Sequence, residues 1–300
     1  MTGPRETAAV ATHGLDKRYG PHVALAGVEL AVPEGAVYGL VGPNGAGKTT
    51  LLAVLAGLRR PSAGRVDLAV PRGRVALLPD TPQFEPWLTG REVVALARRL
   101  TAPGEPAGRE DEVLADAELT AAADRRVGGY SRGMLQRLGL AATVVGRPGL
   151  LLLDEPASAL DPAGRREVLD LIANLRGKAT VVLSSHILAD VQEVCDTVGI
   201  LREGRLLFQG PLAELLVGRA VPAYLVRLRP PAAPAAAALR GLGWVRGVEA
   251  LDGQRLRVTV RSLEEAERRL PGALADCGAR VVSLAPQAAD LEDVFLELTS

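Results

Sequence analysis

The stretch that decides the fold is GPNGAGKT (42–49), which matches the phosphate-binding pattern G-x-x-x-x-G-K-[ST]. The apolar run AVYGLV (36–41) predicts a buried strand before it, and KTTLLAVLAGL (48–58) predicts a helix after it. Glycines let the loop curl until backbone N–H groups and the positive end of the helix dipole face a phosphate. Lys48 is then expected to reach the β- and γ-phosphates of a nucleotide, and the Thr49 hydroxyl to bind Mg²⁺. The residues predicted to bind the nucleotide here are Gly42, Pro43, Asn44, Gly45, Ala46, Gly47, Lys48, Thr49 and Thr50.

Downstream, the apolar run LLLL (150–153) ends in two carboxylates, Asp154 and Glu155. A second apolar run, TVVL (180–183), follows a segment with helical spacing at 163–175, so the three segments predict a βαβ unit. Alone, the two carboxylates would fit a solvated acidic turn. Beside a phosphate-binding loop, Asp154 is expected to hold Mg²⁺, and Glu155 to polarise an attacking water as the general base.

Length, composition and charge exclude several classes of protein. With 300 residues, 48% of them hydrophobic, and 35 basic against 35 acidic side chains, a disordered chain, a collagen and a uniformly cationic nucleic-acid binder are excluded. Cys195 and Cys277 lack CxxC spacing and support neither a disulfide scaffold nor a zinc site. The first residues lack a signal-peptide pattern, and no uncharged apolar run approaches the roughly 18 residues that cross a bilayer. A soluble chain in a reducing cytosol is the expectation.

The segments around these motifs predict two further parts of the fold. Residues 14–31 place apolar side chains at about every second position between turn residues, which is typical of a small antiparallel β layer. Segments 90–100, 110–123 and 131–145 have helical spacing and few β-branched residues. We therefore expect an inserted helical subdomain over about 86–147.

After Pro211 the composition changes, with clustered prolines and frequent alanine. Strand-like AYLVRL and RLRVTV accompany a helix opened by Ser262, with Glu265 at capping-box spacing. The predicted fold class is α/β: a P-loop NTPase core with a mostly parallel sheet, an N-terminal antiparallel β layer, the inserted helical subdomain and a small α+β C-terminal domain. The predicted domains are an ATPase domain at 10–215 and an accessory domain at 220–300.

With these motifs the chain resembles the nucleotide-binding subunit of an ATP-binding cassette (ABC) transporter over about residues 10–215. YSRGMLQR (130–137) lies where that family has its signature loop, which separates ABC ATPases from other P-loop proteins. SALD (158–161) resembles the D-loop, and SSH (184–186) follows a strand as the switch histidine does. In this family two cassettes close head to tail over two ATP molecules, and each site takes the P-loop of one cassette and the signature of the other.

The resemblance implies roles for further single residues. Tyr19 would stack on adenine; its alternative is an ordinary place in the β-layer core. Ser131, which is also positioned to cap a helix, would act with Gly133 and Asp161 on the nucleotide held by the partner cassette. His186 would contact the γ-phosphate, although a lone histidine is more often a satisfied core residue. The predicted catalytic residues are Lys48, Glu155 and His186. Cys195 and Trp87 are expected only to pack.

Departures from the family pattern concern the signature and the metal site. Arg132 and Met134 stand where the signature has glycine and glutamine, so close approach to phosphate depends on the remaining serine and glycine. Asp80 stands after Leu-Pro where the family has a glutamine, and Gln83 follows three residues later. We expect Asp80 to replace that glutamine, because carboxylate oxygens are hard ligands of the type that Mg²⁺ prefers. A solvated turn residue is the alternative. The predicted metal ligands are Thr49, Asp80 and Asp154.

The resemblance implies the ATP-binding and ATP-hydrolysing subunit of an ABC transporter, with ATP and Mg²⁺ as cofactors. Expected partners are a second ABC ATPase subunit, in a homodimer or a heterodimer, and an integral membrane permease that docks near residues 80–89; no nucleic acid is expected. The chain would then be cytoplasmic and peripheral on the inner face of the cell membrane. YSRGMLQR, DEPASALDP (154–162) and the ending LEDVFLELT (291–299) resemble the bacterial exporters of drugs, antibiotics, lipids or polysaccharides.

Three other functions are weighed against export. An importer ATPase subunit is the nearest of them. A soluble ABC ATPase acting on ribosomes or DNA usually carries two cassettes or a long coiled-coil insertion, and neither is present here. A catalytically weak regulatory module is disfavoured because Lys48, Asp154, Glu155 and His186 are all present.

Overall fold

In the computed structural model, the described residues are 8–106, 108–158, 160–219, 222–287, 291 and 295, without side chains at 216–219. The chain divides after Leu212 into two compact units. The strands of the first unit are β1 (Ala8–Tyr19), β2 (His22–Val28), β3 (Ala31–Pro33), β4 (Val37–Val41), β5 (Ala63–Leu68), β6 (Val75–Leu78), β7 (Leu150–Leu153), β8 (Thr180–Ser185), β9 (Thr197–Arg202) and β10 (Arg205–Pro211). Its helices are α1 (Lys48–Leu55), α2 (Gly90–Thr101), α3 (Arg109–Asp116), α4 (Arg132–Val144), α5 (Pro162–Ala173) and α6 (Leu188–Val194), and α7 (Leu212–Arg219) spans the division.

The N-terminal strands form the predicted antiparallel layer. β1 is its centre and pairs with β2, β3 and β5, in each case antiparallel. With 12 residues, β1 is longer than the short strands that the sequence predicts. It extends because β3 pairs with its first half and β2 with its second half. The β1–β2 hairpin turns where Tyr19 faces His22.

The core of the first unit is a six-stranded sheet in the order β10-β9-β4-β8-β7-β6. β4, β6, β7, β8 and β9 run parallel and β10 is the antiparallel edge of the described sheet, so the predicted mostly parallel sheet is confirmed. Every residue of β4, β7 and β8 is buried, as in strands covered on both faces. Because these strands are parallel neighbours, their carboxyl ends meet at one edge of the sheet.

Helices α2, α3 and α4 lie between β6 and β7 in the chain and form the inserted helical subdomain. The third helix is shorter than the predicted segment 110–123. It ends at Asp116, Glu118 takes a left-handed backbone with φ of +56°, and a 3₁₀ turn follows at Thr120–Ala122. The Tyr130 hydroxyl donates to the carbonyl oxygen of that turn's last residue at 2.7 Å. A hydrogen bond from a residue eight positions further along the chain thus stabilises the turn where local helix propensity alone would continue the helix.

The second unit has its own sheet and core. All its strand pairings are antiparallel, in the order β12-β13-β11-β14. This order with two connecting helices is the split βαβ arrangement of ferredoxin-like domains, an α+β fold as predicted. The predicted capping box is wrong: Ser262 precedes the helix, but its side chain accepts no capping hydrogen bond. The elements are β11 (Ala223–Leu228), α8 (Ala233–Arg240), β12 (Val245–Ala250), β13 (Arg255–Val260), α9 (Leu263–Asp276) and β14 (Val281–Gln287).

Two residues that the sequence assigns to packing differ in burial. Cys195 is buried, and burial raises the pKa of its thiol, so the group is held in its protonated, unreactive form. Trp87 is 63% exposed, so the packing prediction is wrong for this residue. Of the exporter-like ending 291–299, all but Leu291 and Phe295 lies outside the described residues.

Candidate functional site

The phosphate-binding loop lies between β4 and α1, and its path requires glycine at two positions. Gly47 is the N-cap residue of α1 with a φ of +106°, and a Cβ there would come within 2.6 Å of the Ala24 carbonyl oxygen. A Cβ on Gly42 would lie 2.2 Å from the Leu201 carbonyl oxygen. A side chain at either position would collide with backbone, so only glycine permits the curl that a phosphate-binding loop needs.

Lys48 is the first residue of α1 and carries a buried ammonium group. Its side chain is 7% exposed, and Nζ lies 3.1 Å from Glu155 Oε1. The same nitrogen donates to the Gly42 carbonyl oxygen at 2.7 Å. A buried cation is tolerated only with such partners. Lys48 therefore connects the loop after β4 to the carboxylates after β7.

Asp154 and Glu155 follow β7 and are connected through Ser184 of the neighbouring β8. The Ser184 hydroxyl donates to Asp154 Oδ1 at 2.7 Å and accepts from the Glu155 N–H at 2.9 Å. Asp154 is buried, while Glu155 has a left-handed backbone with φ of +47°. Such a conformation costs on the order of 1–3 kcal/mol and is typical of functional sites. No role for Ser184 is predicted from the sequence. Its position at the strand end, two residues before His186, is a signal that it lies near the carboxylates.

His186 follows β8 and contacts the same carboxylate. Its Nδ1 lies 2.8 Å from Glu155 Oε2, and its backbone N–H donates to that oxygen at 3.3 Å. Glu155 thus stands between Lys48 on one oxygen and His186 on the other. Of the three predicted catalytic residues, Glu155 therefore contacts both of the others, and all three lie at the edge where the strand ends meet.

A cavity of about 360 Å³ opens beside the loop, within the roughly 300–1,000 Å³ typical of small-ligand sites. We call it the P-loop cavity. Tyr19 is not in its lining: the ring is 43% exposed, and Lys17 Nζ lies 4.9 Å from the ring centroid. His22, opposite Tyr19 in the hairpin, does line the cavity and was not predicted. The full lining is His22, Ala24, Pro43, Asn44, Gly45, Ala46, Gly47, Lys48, Thr49, Thr50, Asp80, Asp154 and Glu155.

Asp80 follows β6 and also lines the P-loop cavity. Its Oδ1 accepts a hydrogen bond from Ser158 Oγ at 3.2 Å, which joins this loop to the segment after β7. Thr49, Asp80 and Asp154 thus bring a hydroxyl and two carboxylates to one cavity, and these hard oxygen donors suit Mg²⁺. Among the described residues, no three acidic, histidine or cysteine side chains cluster closely enough to hold a metal alone. Phosphate oxygens of a nucleotide would have to complete the coordination, as is usual for Mg²⁺.

The remaining predicted nucleotide contacts lie around a second cavity of about 420 Å³, the signature cavity. Ser131 caps α4, its side chain accepting from the Met134 N–H at 3.3 Å, and Asp161 caps α5, accepting from the Gly164 N–H at 3.0 Å. The N-termini of two helices therefore border this cavity, which favours an anion. It shares no lining residue with the P-loop cavity. The lining is Ser131, Arg132, Gly133, Arg137, Leu160, Asp161, Ala163, Gly164 and Glu167.

Comparison with known proteins agrees with this geometry. The ABC transporter family matches residues 25–158. The daunorubicin resistance ATP-binding protein DrrA3 of Streptomyces coeruleorubidus is 35% identical over 303 residues, covering 97% of this chain and 96% of that protein. The chain belongs to the ABC transporter ATP-binding family. A second relative of this family, the Nod factor export ATP-binding protein I of Burkholderia orbicola, is 33% identical and covers 97% of both chains.

The fold of an ABC ATP-binding subunit is also found in solved structures. An ATP-binding subunit of an ABC transporter aligns with a TM-score of 0.64 and 28% identity, over 71% of this chain and 93% of that one. The predicted α/β class with a P-loop core is therefore confirmed, and the chain is an ABC ATPase subunit that binds ATP. Within the described residues, no helix has the length and apolar character to cross a membrane.

Proposed function

We propose that this ABC ATPase subunit powers export through a separate integral membrane permease, as one of two cassettes closed head to tail. The observation that supports two cassettes is that the P-loop cavity and the signature cavity of one chain share no lining residue. We therefore expect a nucleotide in the P-loop cavity to meet the signature of a second cassette. The relatives named for daunorubicin resistance and Nod factor export favour the outward direction and an organic substrate.

Hydrolysis is assigned to the residues of the P-loop cavity. Lys48 would bind the β- and γ-phosphates, and Thr49, Asp80 and Asp154 would hold Mg²⁺, which withdraws charge from the phosphate oxygens. Glu155 would orient the attacking water and take its proton. Because Lys48 pairs with Glu155 at 3.1 Å, an arriving phosphate has to draw the ammonium away and thereby frees the carboxylate for water.

The signature cavity would cover the γ-phosphate of the partner's nucleotide. The helix N-termini at Ser131 and Asp161 supply positive dipole ends. Arg132 and Arg137 line the same cavity. A cation at position 132 adds attraction for phosphate where the family has a glycine, so the departure in the signature is compatible with ATP binding.

The surface between β6 and α2 is the proposed docking site of the permease. Trp87, 63% exposed, stands in this segment, and Leu96 on α2 is 49% exposed. Exposed aromatic residues are typical anchors of protein interfaces. Docking here would make the subunit cytoplasmic and peripheral on the inner face of the membrane. Asp80 lies only seven residues before Trp87, so the docking segment leads directly to the P-loop cavity.

Co-purification of the tagged chain from solubilised membranes tests the partner, with mass spectrometry to identify what accompanies it. We expect a second cassette and a multi-span permease, and accumulation of organic substrate in inverted vesicles supplied with ATP. Trp87→Ala should lose the permease while nucleotide affinity, measured on the same preparation, is unchanged. Recovery with a solute-binding protein and uptake into cells would support an importer, and recovery with ribosomes or DNA would contradict the proposal.

Asp80→Ala is expected to lower permease-stimulated ATPase activity about tenfold more than basal activity, because Asp80 would hold Mg²⁺ and also connect the metal site to the docking segment. Asp80 lines the P-loop cavity and accepts from Ser158, so its loss disconnects the metal site from the segment that leads to Trp87. Gln83→Ala is the matched control, since Gln83 is exposed and does not line the cavity. ATPase rates with and without permease are the measurement. Equal losses in both variants, or a larger loss for Gln83→Ala, would reject the assignment.

A further inference from the structure

A third cavity, of about 480 Å³, lies at the edge of the sheet opposite the P-loop cavity. Its lining includes Arg74, which directly precedes β6, Arg147, which lies three residues before β7, and Lys178, which lies two residues before β8. Arg109, the first residue of α3, completes a set of four cations. We call this space the arginine cavity. It lies at the amino ends of strands whose carboxyl ends carry the catalytic residues.

The lining of the arginine cavity has an excess of positive charge. Arg109 is paired with Glu112 at 2.6 Å, and Arg147 with Glu105 at 3.1 Å. Arg74 and Lys178 have no acidic group within 4 Å among the described residues, and the lining contains one carboxylate, Asp116. Both side chains are exposed, so water solvates their charges, and an anion that enters the cavity can replace that water. An arginine fork and a lysine together suit a carboxylate or phosphate head group.

Lys178 is one of only three lysines, with Lys17 and Lys48, in a chain that otherwise uses arginine. Lys48 belongs to the P-loop cavity, and Lys17 lies over the Tyr19 ring. Lys178 alone lines a cavity with no assigned ligand. The lysine ammonium is a compact point charge, so it can contact one oxygen of an anion where a larger, planar guanidinium would not fit.

Arg109 is the least exposed of the four cations that line the arginine cavity. The Arg109 Nε–H is buried without a hydrogen-bond partner among the described groups. An unsatisfied buried donor costs roughly 1–3 kcal/mol, and because this nitrogen has almost no accessible surface, it gains an acceptor from the cavity only if the side chain shifts.

The floor of the arginine cavity is apolar. Val144, Leu151 and Leu175 line it, and a neighbouring cavity of about 170 Å³ shares Val144, Leu175 and Lys178. Leu140 and Leu171 continue this apolar surface. The two spaces together offer room for a hydrophobic body beside the charged rim, and their combined size is in the range of drug-sized ligand sites.

We propose that the arginine cavity binds a small amphipathic anion, with its carboxylate or phosphate head among Arg74, Arg109 and Lys178 and its apolar body on Val144 and Leu175. The ligand would contact α3 and α4 of the helical subdomain together with the starts of β6 and β8. Since it binds the folded chain, it stabilises the first unit against unfolding. The proposal does not depend on export.

Calorimetric titration tests the site, with enough MgADP present to fill the P-loop cavity. The probes are phenyl phosphate and phenylacetate, which distinguish the two head groups, and benzyl alcohol as the uncharged control. We expect one anion to bind and to raise the Tm, with an affinity that falls as salt rises. Lys178→Gln and Arg74→Gln should each weaken binding by roughly tenfold, the loss of one charge-assisted hydrogen bond.

Two variants serve as controls for the arginine cavity. Arg59→Gln removes a charge from an exposed residue outside the lining and should leave binding unchanged. Asp116→Asn removes the lining carboxylate and should tighten binding. The proposal is overturned if neither anion binds, if benzyl alcohol binds equally well, or if Lys178→Gln and Arg74→Gln bind the anion like the unchanged chain.

Discussion

Lys48→Ala is expected to abolish tight binding of MgATP. Among the residues described around the P-loop cavity, Lys48 is the sole lysine or arginine, so its removal leaves the phosphates without a side-chain cation. Two charge-assisted hydrogen bonds to phosphate are lost, which corresponds to a decrease in affinity of roughly 100-fold or more. Calorimetry with MgATP measures the change. The glycine backbone of the loop is unaltered, so residual weak binding is compatible with the expectation.

Lys178→Ala is the matched control for Lys48→Ala, because it deletes the same side chain outside the P-loop cavity. It should bind MgATP like the unchanged chain. Lys48→Arg should not restore affinity, since Nζ occupies a buried position 2.7 Å from the Gly42 carbonyl oxygen that a planar guanidinium does not fit. Thermal unfolding of each variant verifies that the fold is retained. Unchanged nucleotide affinity in folded Lys48→Ala would refute the role of this residue.

Glu155→Gln is expected to bind MgATP but to lose hydrolysis by about 10²–10⁴-fold, the usual contribution of a general base. The amide keeps the shape of the side chain but cannot take a proton from water. It also removes the ion pair that Lys48 makes in the structure, so the ammonium is released for phosphate. ATP-bound cassettes should then accumulate as a closed dimer, seen by size-exclusion chromatography as a shift that requires ATP.

Glu203→Gln is a close control for Glu155→Gln. Glu203 also has a left-handed backbone, with φ of +50°, but its side chain is 84% exposed and does not line the P-loop cavity. This variant should hydrolyse ATP normally. A Glu155→Gln chain that hydrolyses ATP at the original rate contradicts the assignment of the base. One that stays monomeric with ATP, also when a candidate partner cassette is added, contradicts the head-to-tail dimer.

The parts of the site that follow from local sequence were predictable. GPNGAGKT (42–49) is recognised from its own pattern as a loop between strand and helix, and apolar runs without alternation indicate parallel strands buried on both faces. Parallel neighbours then bring Asp154, Glu155 and His186 to the edge where Lys48 stands. The sequence predicts only that these residues share an edge of the sheet. The structure adds that Glu155 contacts both Lys48 and His186.

Other features depend on contacts between distant residues and could not be predicted. Asp80 and Ser158 are 78 positions apart, and Ser184 reaches Asp154 from a different strand. The end of α3 at Asp116 depends on tertiary packing, since the following residues include good helix formers. Exposure of Trp87 likewise follows from the placement of its segment, for which the sequence gives no periodic pattern.

In a homodimer of this chain, the division of each site between the P-loop cavity of one copy and the signature cavity of the other would have a genetic consequence. An allele damaged at 42–50 still contributes an intact signature, and one damaged at 131–133 still contributes an intact P-loop. A dimer with one chain from each mutant allele would contain one intact site and one site with both defects. The two alleles should therefore complement each other partially. For the same reason, a single mutant allele expressed with the unchanged gene should be partly dominant, because it spoils a site in each mixed dimer.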